Sequence, residues 1–213
     1  MVFSDACVFV YPAGNTSIRR MALEAKHLGI ERIVCAGAVS TGEFYGVRTV
    51  SGALLRPSDF RDFTALIKKA GKRDLVIACA GDAGLNRSLI SSGRIDILRG
   101  IENAPKKAFD DVCAVNAAQK GVAVDISLSS VVKKRGIQRQ KALISFAEIM
   151  KFHRKYGFTV TISSGACSYT DLMSAREAAN ICSLFGMEKD EVISALNGVD
   201  TLLNPYNPAE VIL

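Results

Sequence analysis

The fold is decided by residues 121–166, which read GVAVDISLSSVVKKRGIQRQKALISFAEIMKFHRKYGFTVTISSGA. Two apolar, β-branched runs, at residues 122–128 and 159–163, have the composition and length of buried strands. Between them, apolar residues recur at helical spacing within residues 138–156. A strand, a helix and a second strand in this order predict a βαβ unit, whose two strands run parallel.

Strand-like and helix-like segments alternate along the rest of the chain. Further strands are predicted at residues 6–11, 32–36, 45–50, 74–80 and 95–98, and helices at residues 18–28, 58–70, 86–92, 110–119 (starting near residue 105), 169–185 and 188–196. Residues 197–213 are predicted to be irregular. This rhythm is typical of parallel α/β proteins, and it predicts a single TIM-barrel-like domain over residues 1–213. An open α/β sheet is the alternative.

The composition indicates one well-buried domain and an anionic partner. The 213 residues are 49% hydrophobic and 23% charged, and 27 Lys and Arg outnumber 21 Asp and Glu to give a net charge of +6. A basic balance favours nucleic acid over a membrane surface, because no amphipathic anchor is visible. A mildly basic soluble protein with no such partner is the simpler alternative.

The cysteines and the N-terminus indicate a cytoplasmic protein. None of the six cysteines forms a C-x-x-C pair, and most lie in apolar segments, so we expect free thiols in a reducing compartment. We also expect no secretory leader and no membrane span, because neither pattern occurs in the sequence.

Residues for catalysis are scarce. A metal-dependent phosphoesterase on a barrel of this kind needs several histidines and carboxylates at the strand ends. The chain has only His27 and His153, and both fall near the predicted C-terminal ends of helices. Asp5 and Asp125 are candidate acids or bases within strands, although such carboxylates more often cap turns or pair with arginine. The phosphoesterase remains the alternative function.

Basic residues concentrate where the barrel is expected to function. Links from a strand to the next helix lie at the C-terminal end of a barrel, and Lys133, Lys134, Arg135 and Arg139 fall in one such link. Cations near helix N-termini oppose the helix dipole, so their presence favours an anionic partner. Arg139 is predicted to lean toward the barrel rim, where it would contact either a phosphate or a local carboxylate.

Two serines are further candidates at this end of the barrel. Ser163 and Ser164 follow a predicted strand, where their hydroxyls and the neighbouring backbone N–H groups would either hold a phosphate or cap a helix. Other cations assigned to the same end are Arg19, Arg20, Arg56, Arg87, Arg99, Lys106 and Lys107.

Several of these segments resemble a known family. The runs VAVDISL followed by KKRG, RQKALISF, and KYGFTVTISSGA resemble ribonuclease P protein component 3, an archaeal family, with weaker similarity around Asn86-Arg87 and in DLMSARE. Two departures are the alanine in Ser174-Ala175-Arg176, where the family usually has proline, and the lack of a histidine after Asp5.

The resemblance implies a barrel like that of the metal-dependent (PHP-type) hydrolases but without a metal site. It implies a non-catalytic subunit with no cofactor of its own, since the ribonuclease P RNA performs the cleavage with Mg²⁺. The implied partners are that RNA, precursor tRNA, other protein subunits and protein component 2, commonly in a heterotetramer. It also implies that Arg87, Arg139, Lys141 and Arg176 contact RNA or a partner protein.

Overall fold

A computed structural model describes residues 2–37 and 41–204. The strands are β1 (Ser4–Val8), β2 (Arg32–Ala36), β3 (Gly42–Phe44), β4 (Val47–Leu55), β5 (Leu75–Cys79), β6 (Ile97–Arg99), β7 (Ala123–Ser127) and β8 (Val160–Ser163). The helices are α1 (Ile18–His27), α2 (Phe60–Ala70), α3 (Ala83–Ser91), α4 (Asp111–Lys120), α5 (Ser129–Val132), α6 (Gly136–Tyr156), α7 (Ala175–Cys182) and α8 (Lys189–Leu203). Short 3-10 turns occur at Ile101–Asn103, Tyr169–Asp171 and Ser183–Phe185.

The strands form a parallel sheet that closes nearly into a barrel. The order is β1-β2-β4-β5-β6-β7-β8, and β3 adds to β4 in antiparallel fashion. At the ends of β8 and β1, Gly165 N donates to Cys7 O at 3.1 Å and Phe9 N donates to Ala166 O at 2.7 Å. These bonds join the first and last strands, so the TIM-barrel-like prediction is confirmed and the open sheet is not supported.

The central βαβ unit forms as predicted because each of its parts has a strong local signal. Both strands are fully buried, which their apolar, β-branched residues favour, and the polar residues in them, such as Asp125 and Ser163, point into the barrel and bond to each other. In α6, Ala142, Phe146 and Ile149 lie on one buried face. The helix ends at Gly157, whose φ of 74° is in the left-handed region that glycine adopts readily.

Two predictions for the first half of the chain were wrong. The first strand covers Ser4–Val8 rather than residues 6–11, because the chain leaves the ladder after Val8 and Phe9 bonds to the loop at Ala166. The region around residues 45–50 is a hairpin rather than one short strand. Its turn lies at Tyr45 and Gly46, both with positive φ, and β4 then continues to Leu55.

Three helix predictions also need correction. Helix α4 begins after Asp110, which caps it through Cys113 N, and not near residue 105. The helix predicted at 169–185 is interrupted, because Ser174 and Glu177 form a capping box that begins α7. Residues 197–203, predicted to be irregular, extend α8, whereas residues 205–213 lie outside the described part of the chain.

Helix α8 packs unusually close to the barrel. A Cβ atom on Gly198 would lie 2.5 Å from the carbonyl oxygen of Val160, so only glycine allows this approach. Within the described ranges, no helix has both the length and the apolar character that crossing a membrane requires.

Candidate functional site

The predicted cationic link lies at the end of the barrel formed by the C-terminal ends of the parallel strands, here called the upper face. Strand β7 ends at Ser127, the short helix α5 follows, and Lys133, Lys134 and Arg135 connect it to α6. We call these three residues the basic loop. Lys133 and Arg135 are exposed and Lys134 is half-buried. The strand-to-helix rule therefore placed these three cations correctly.

Two of the three side chains contact other upper-face loops. Lys133 Nζ lies 2.7 Å from Asp171 Oδ2, and 46% of the lysine side chain stays exposed. Burial raises the pKa of Asp171, but Lys133 and the backbone N–H groups of Cys167 and Ser168 lower it overall. Lys134 Nζ donates to the side-chain oxygen of Asn103. Both contacts are at the surface, where an anionic ligand can compete for the lysine.

Arg139 holds the basic loop in place. Its Nε donates to Lys134 O at 3.0 Å and its Nη2 donates to Val132 O at 3.4 Å. The half-buried guanidinium thus leans toward the rim, as predicted, but it binds the backbone of the loop rather than a carboxylate. Arg139 therefore fixes the shape in which the basic loop presents its cations.

The other predicted cations are spread around the barrel. Arg87, on α3, pairs with Asp110, and its Nε lies 3.1 Å from Asp110 Oδ2. The Arg87 hydrogen bond lowers the pKa of Asp110 to about 2. Lys141 lies in the second turn of α6 and Arg176 in the first turn of α7, and both are exposed. Within the described part of the chain, neither makes an ion pair.

Ser163 and Ser164 lie inside the upper end of the barrel and not on its surface. Ser163 Oγ donates to Asp125 Oδ2 at 2.7 Å. Ser164 Oγ accepts from Ala166 N at 3.1 Å, and Ser164 N donates to Asp5 Oδ1 at 3.1 Å. Both side chains are buried, so their hydroxyls organise the interior beneath the upper face.

An arginine–aspartate pair occupies the same interior. Arg99 Nε lies 3.0 Å from Asp125 Oδ2, with 10% and 1% of the two side chains exposed. Arg99 also donates to Cys7 Sγ at 2.7 Å and to Ser127 Oγ at 2.8 Å. The sequence placed Arg99 among the upper-face cations, but its charge is turned inward. Arg99 lies directly opposite Asp125 on the neighbouring strand, a register that only the folded sheet shows.

Neighbouring groups oppose the effect of burial on the Asp125 carboxyl. Burial raises the pKa of Asp125, and the Arg99 guanidinium and the Ser163 hydroxyl oppose that rise. Burial also raises the pKa of the Cys7 thiol to about 12, so this cysteine stays protonated. Asp125 therefore pairs with arginine, which is the simpler of the two roles that the sequence left open.

Asp5 is a second interior carboxylate, and none of the cations in the described part of the chain pairs with it. It accepts hydrogen bonds from the backbone N–H groups of Cys7, at 3.1 Å, and Ser164. Only 5% of the surface of Asp5 is exposed. Burial raises the pKa of Asp5 from 3.8 to about 6. The folded protein therefore holds a proton on Asp5 at a pH where the unfolded chain has lost it. This difference reduces the stability contributed by Asp5 as the pH rises from about 4 to about 6.

Replacing Asp5 by asparagine should remove this pH dependence. Because each unit of pKa corresponds to about 1.4 kcal/mol, the free energy of unfolding of Asp5→Asn should rise relative to wild type by at most about 3 kcal/mol between pH 4 and pH 7. Urea unfolding of both proteins at several pH values measures this difference. Parallel profiles for the two proteins would show that Asp5 ionises normally in the folded state.

The two histidines lie away from the upper face. His27 is the last residue of α1, and His153, in the last turn of α6, has Nδ1 2.7 Å from Phe158 O. Both positions agree with the prediction. Across residues 2–37 and 41–204, no group of three or more His, Cys, Asp or Glu side chains is arranged to hold a metal ion.

The fold and the site define an α/β barrel protein with a cluster of cations on its upper face and an ion pair in its interior. Residues 2–203 match the family described as RNase P subunit p30. The chain belongs to this family.

Curated relatives agree with this assignment, and a solved structure shares the fold. Ribonuclease P protein component 3 of Methanococcoides burtonii is 30% identical over 92% of this chain and 84% of its own length. The Methanosarcina barkeri protein of the same name is 27% identical over 92% and 86%. A chain from a cryo-EM structure of archaeal ribonuclease P with mature tRNA has a TM-score of 0.78 at 18% identity, covering 94% of this chain and 90% of that one.

The barrel is also similar to an enzyme fold. A putative prolidase from Bifidobacterium longum has a TM-score of 0.55 at 11% identity, covering 95% of this chain and 69% of that chain. At such identities, both structural similarities establish the fold alone.

Proposed function

We propose that this chain is an RNA-binding protein subunit of ribonuclease P that assists the catalytic RNA in removing the 5′ leader of precursor tRNA. The observation that carries this proposal is the family match over residues 2–203. The basic loop supplies the binding chemistry, because lysine and arginine on one face release counterions when they contact phosphates. Arg139 supports this role by fixing the loop in one shape.

The RNA supplies the active site in this proposal and uses Mg²⁺, while the chain itself binds no cofactor. The alternative, a phosphoesterase on the same barrel, would need metal-binding carboxylates in the upper interior. That interior holds the carboxylates of Asp5 and Asp125, but it also holds the Arg99 guanidinium, which repels a divalent cation and already binds Asp125. The interior chemistry therefore favours a binding role over hydrolysis.

The proposed partners are ribonuclease P RNA, precursor tRNA, protein component 2 and the other protein subunits. We propose a heterotetramer with protein component 2, in the cytoplasm. The cryo-EM relative comes from a ribonuclease P complex containing tRNA, which supports an assembly of this kind. Arg87, Lys141 and Arg176 are proposed contacts to RNA or to a partner protein, and Ser163 and Ser164 support the face from beneath.

Reconstitution with single omissions tests this proposal. The ribonuclease P RNA and all protein subunits from the same organism are assembled, and cleavage of precursor tRNA is measured with and without this chain. We expect cleavage to slow when the chain is omitted, and the purified chain alone to leave the substrate intact with any divalent metal. An unchanged rate after omission, or metal-dependent cleavage by the chain alone, would overturn the proposal.

A further inference from the structure

A groove on the side of the barrel has no role in the RNA-binding proposal. It has a volume of about 510 Å³ and lies between α6 and the loop that connects β6 to α4. Its floor is apolar and includes Ile101, Phe109 and Ile149, each at most 7% exposed. Beside this floor, Ile144 on α6 is 53% exposed. A recess with an apolar floor and an exposed aliphatic residue at its edge is typical of a binding groove.

The charges around the groove favour an acidic occupant. Lys106, Lys107 and Lys141 line it and are exposed, whereas its lining carboxylates are the exposed Glu148 and the buried Glu102. Three cations against two carboxylates leave the lining net positive, which matches an occupant that carries more acidic than basic groups. An occupant that covers Glu148 must give its carboxylate a hydrogen-bond donor in place of water. A polypeptide supplies one through a basic side chain or a backbone N–H group.

The apolar residues favour protein over RNA. Ile144, and Ile137 two turns earlier on α6 with 71% exposure, have no flat face on which a base could stack. The ring of Phe109 is already covered, with the Phe152 ring 5.9 Å and the Phe158 ring 5.5 Å away, both edge-on. Glu148 would also repel phosphate. Aliphatic side chains from another protein would instead bury against these isoleucines.

We propose that this groove receives an apolar, net acidic segment of another protein subunit. The proposal rests on the proposed function, since it requires that the chain work inside a multi-subunit complex. It assigns Lys141 to protein contact and leaves the basic loop to RNA. One barrel would thereby present two adjoining surfaces, the basic loop for RNA and the groove along α6 for protein.

Photo-crosslinking in the complete complex identifies the occupant directly. A photoreactive phenylalanine analogue replaces Ser145, which lines the groove, and the chain is assembled with the ribonuclease P RNA and all protein subunits. We expect a crosslink to one apolar, net acidic protein segment. A crosslink to RNA, or none in a complex that still cleaves precursor tRNA, would overturn the proposal. Loss of cleavage on omitting the chain is measured separately, so the two proposals fail by different observations.

A matched pair of variants tests the contribution of the groove to affinity. Ile144→Asp should weaken binding of the chain to the assembled protein subunits by about 10- to 100-fold, as expected for an apolar anchor. Leu184→Asp makes the same chemical change at a residue that is 63% exposed and lies outside the groove, and it should bind as wild type does. Equal binding by both variants, or loss of RNA affinity in Ile144→Asp alone, would contradict the assignment. Circular dichroism confirms that both variants fold.

Discussion

Replacing Lys133, Lys134 and Arg135 together by alanine is expected to weaken binding to ribonuclease P RNA by about 10- to 100-fold at moderate salt. The expected loss of RNA affinity is smaller than three cations without other partners would give. Lys133 already pairs with Asp171 and Lys134 already contacts Asn103, so RNA must compete with these contacts. Binding of wild type and variant to labelled RNA measures the effect. Precursor tRNA cleavage by the reconstituted complex should slow when the variant is present at limiting concentration.

A charge-matched variant separates local contacts from net charge. Lys68, Lys69 and Lys72 are three exposed lysines at or just beyond the C-terminal end of α2, on the opposite end of the barrel. Replacing these three by alanine removes the same charge and should reduce RNA affinity much less. If both triple variants lost affinity equally, the upper face would have no special role. Binding to the other protein subunits should be unchanged in both variants.

Replacing Arg99 by methionine is expected to lower the free energy of unfolding by about 3–5 kcal/mol at neutral pH. The change leaves the buried Asp125 carboxyl without its cation, and it also removes the donors to Cys7 and Ser127. Chemical denaturation measures the loss. The loss should be smaller at pH 5 than at pH 8, because protonation of Asp125 removes the uncompensated charge.

The double variant Arg99→Met/Asp125→Asn is the control for this prediction. It removes the charge of both partners, so it should recover part of the stability that Arg99→Met loses. It also keeps the prediction testable if the single variant does not fold. A single variant as stable as wild type, or a loss that does not change with pH, would show that the interior pair does not support the barrel.

The sequence predicted the parts of the fold that have strong local signals. The βαβ unit at residues 121–166 was found because its strands are rich in apolar, β-branched residues and its helix has a clear buried stripe. The hairpin at β3 and β4 was missed because β3 has only three residues, none of them buried. The end of α8 was missed because Asn197-Gly198 resembles a turn, whereas packing against β8 requires glycine within the helix.

The candidate site was predicted in position but not in detail. The order of strand and helix alone places the basic loop at the upper face, since that rule needs no side-chain contacts. The role of Arg139 depends on the path of a loop, and the role of Arg99 depends on a residue distant in the sequence. Arg139 binds loop carbonyls, and Arg99 turns inward toward Asp125 on the neighbouring strand. Pairing across strands is a non-local property, so the sequence gives no direct sign of it.

The salt dependence of RNA binding shows whether the basic loop contacts phosphates. The affinity of the chain for ribonuclease P RNA is measured from low to moderate salt for wild type and for the variant with all three basic-loop residues replaced by alanine. We expect a steep fall for wild type, and a slope reduced by about 2–3 in the variant, since each lost phosphate contact lowers the slope by roughly one. An affinity of wild type that stays flat over this range, or identical slopes for the two proteins, would contradict such contacts.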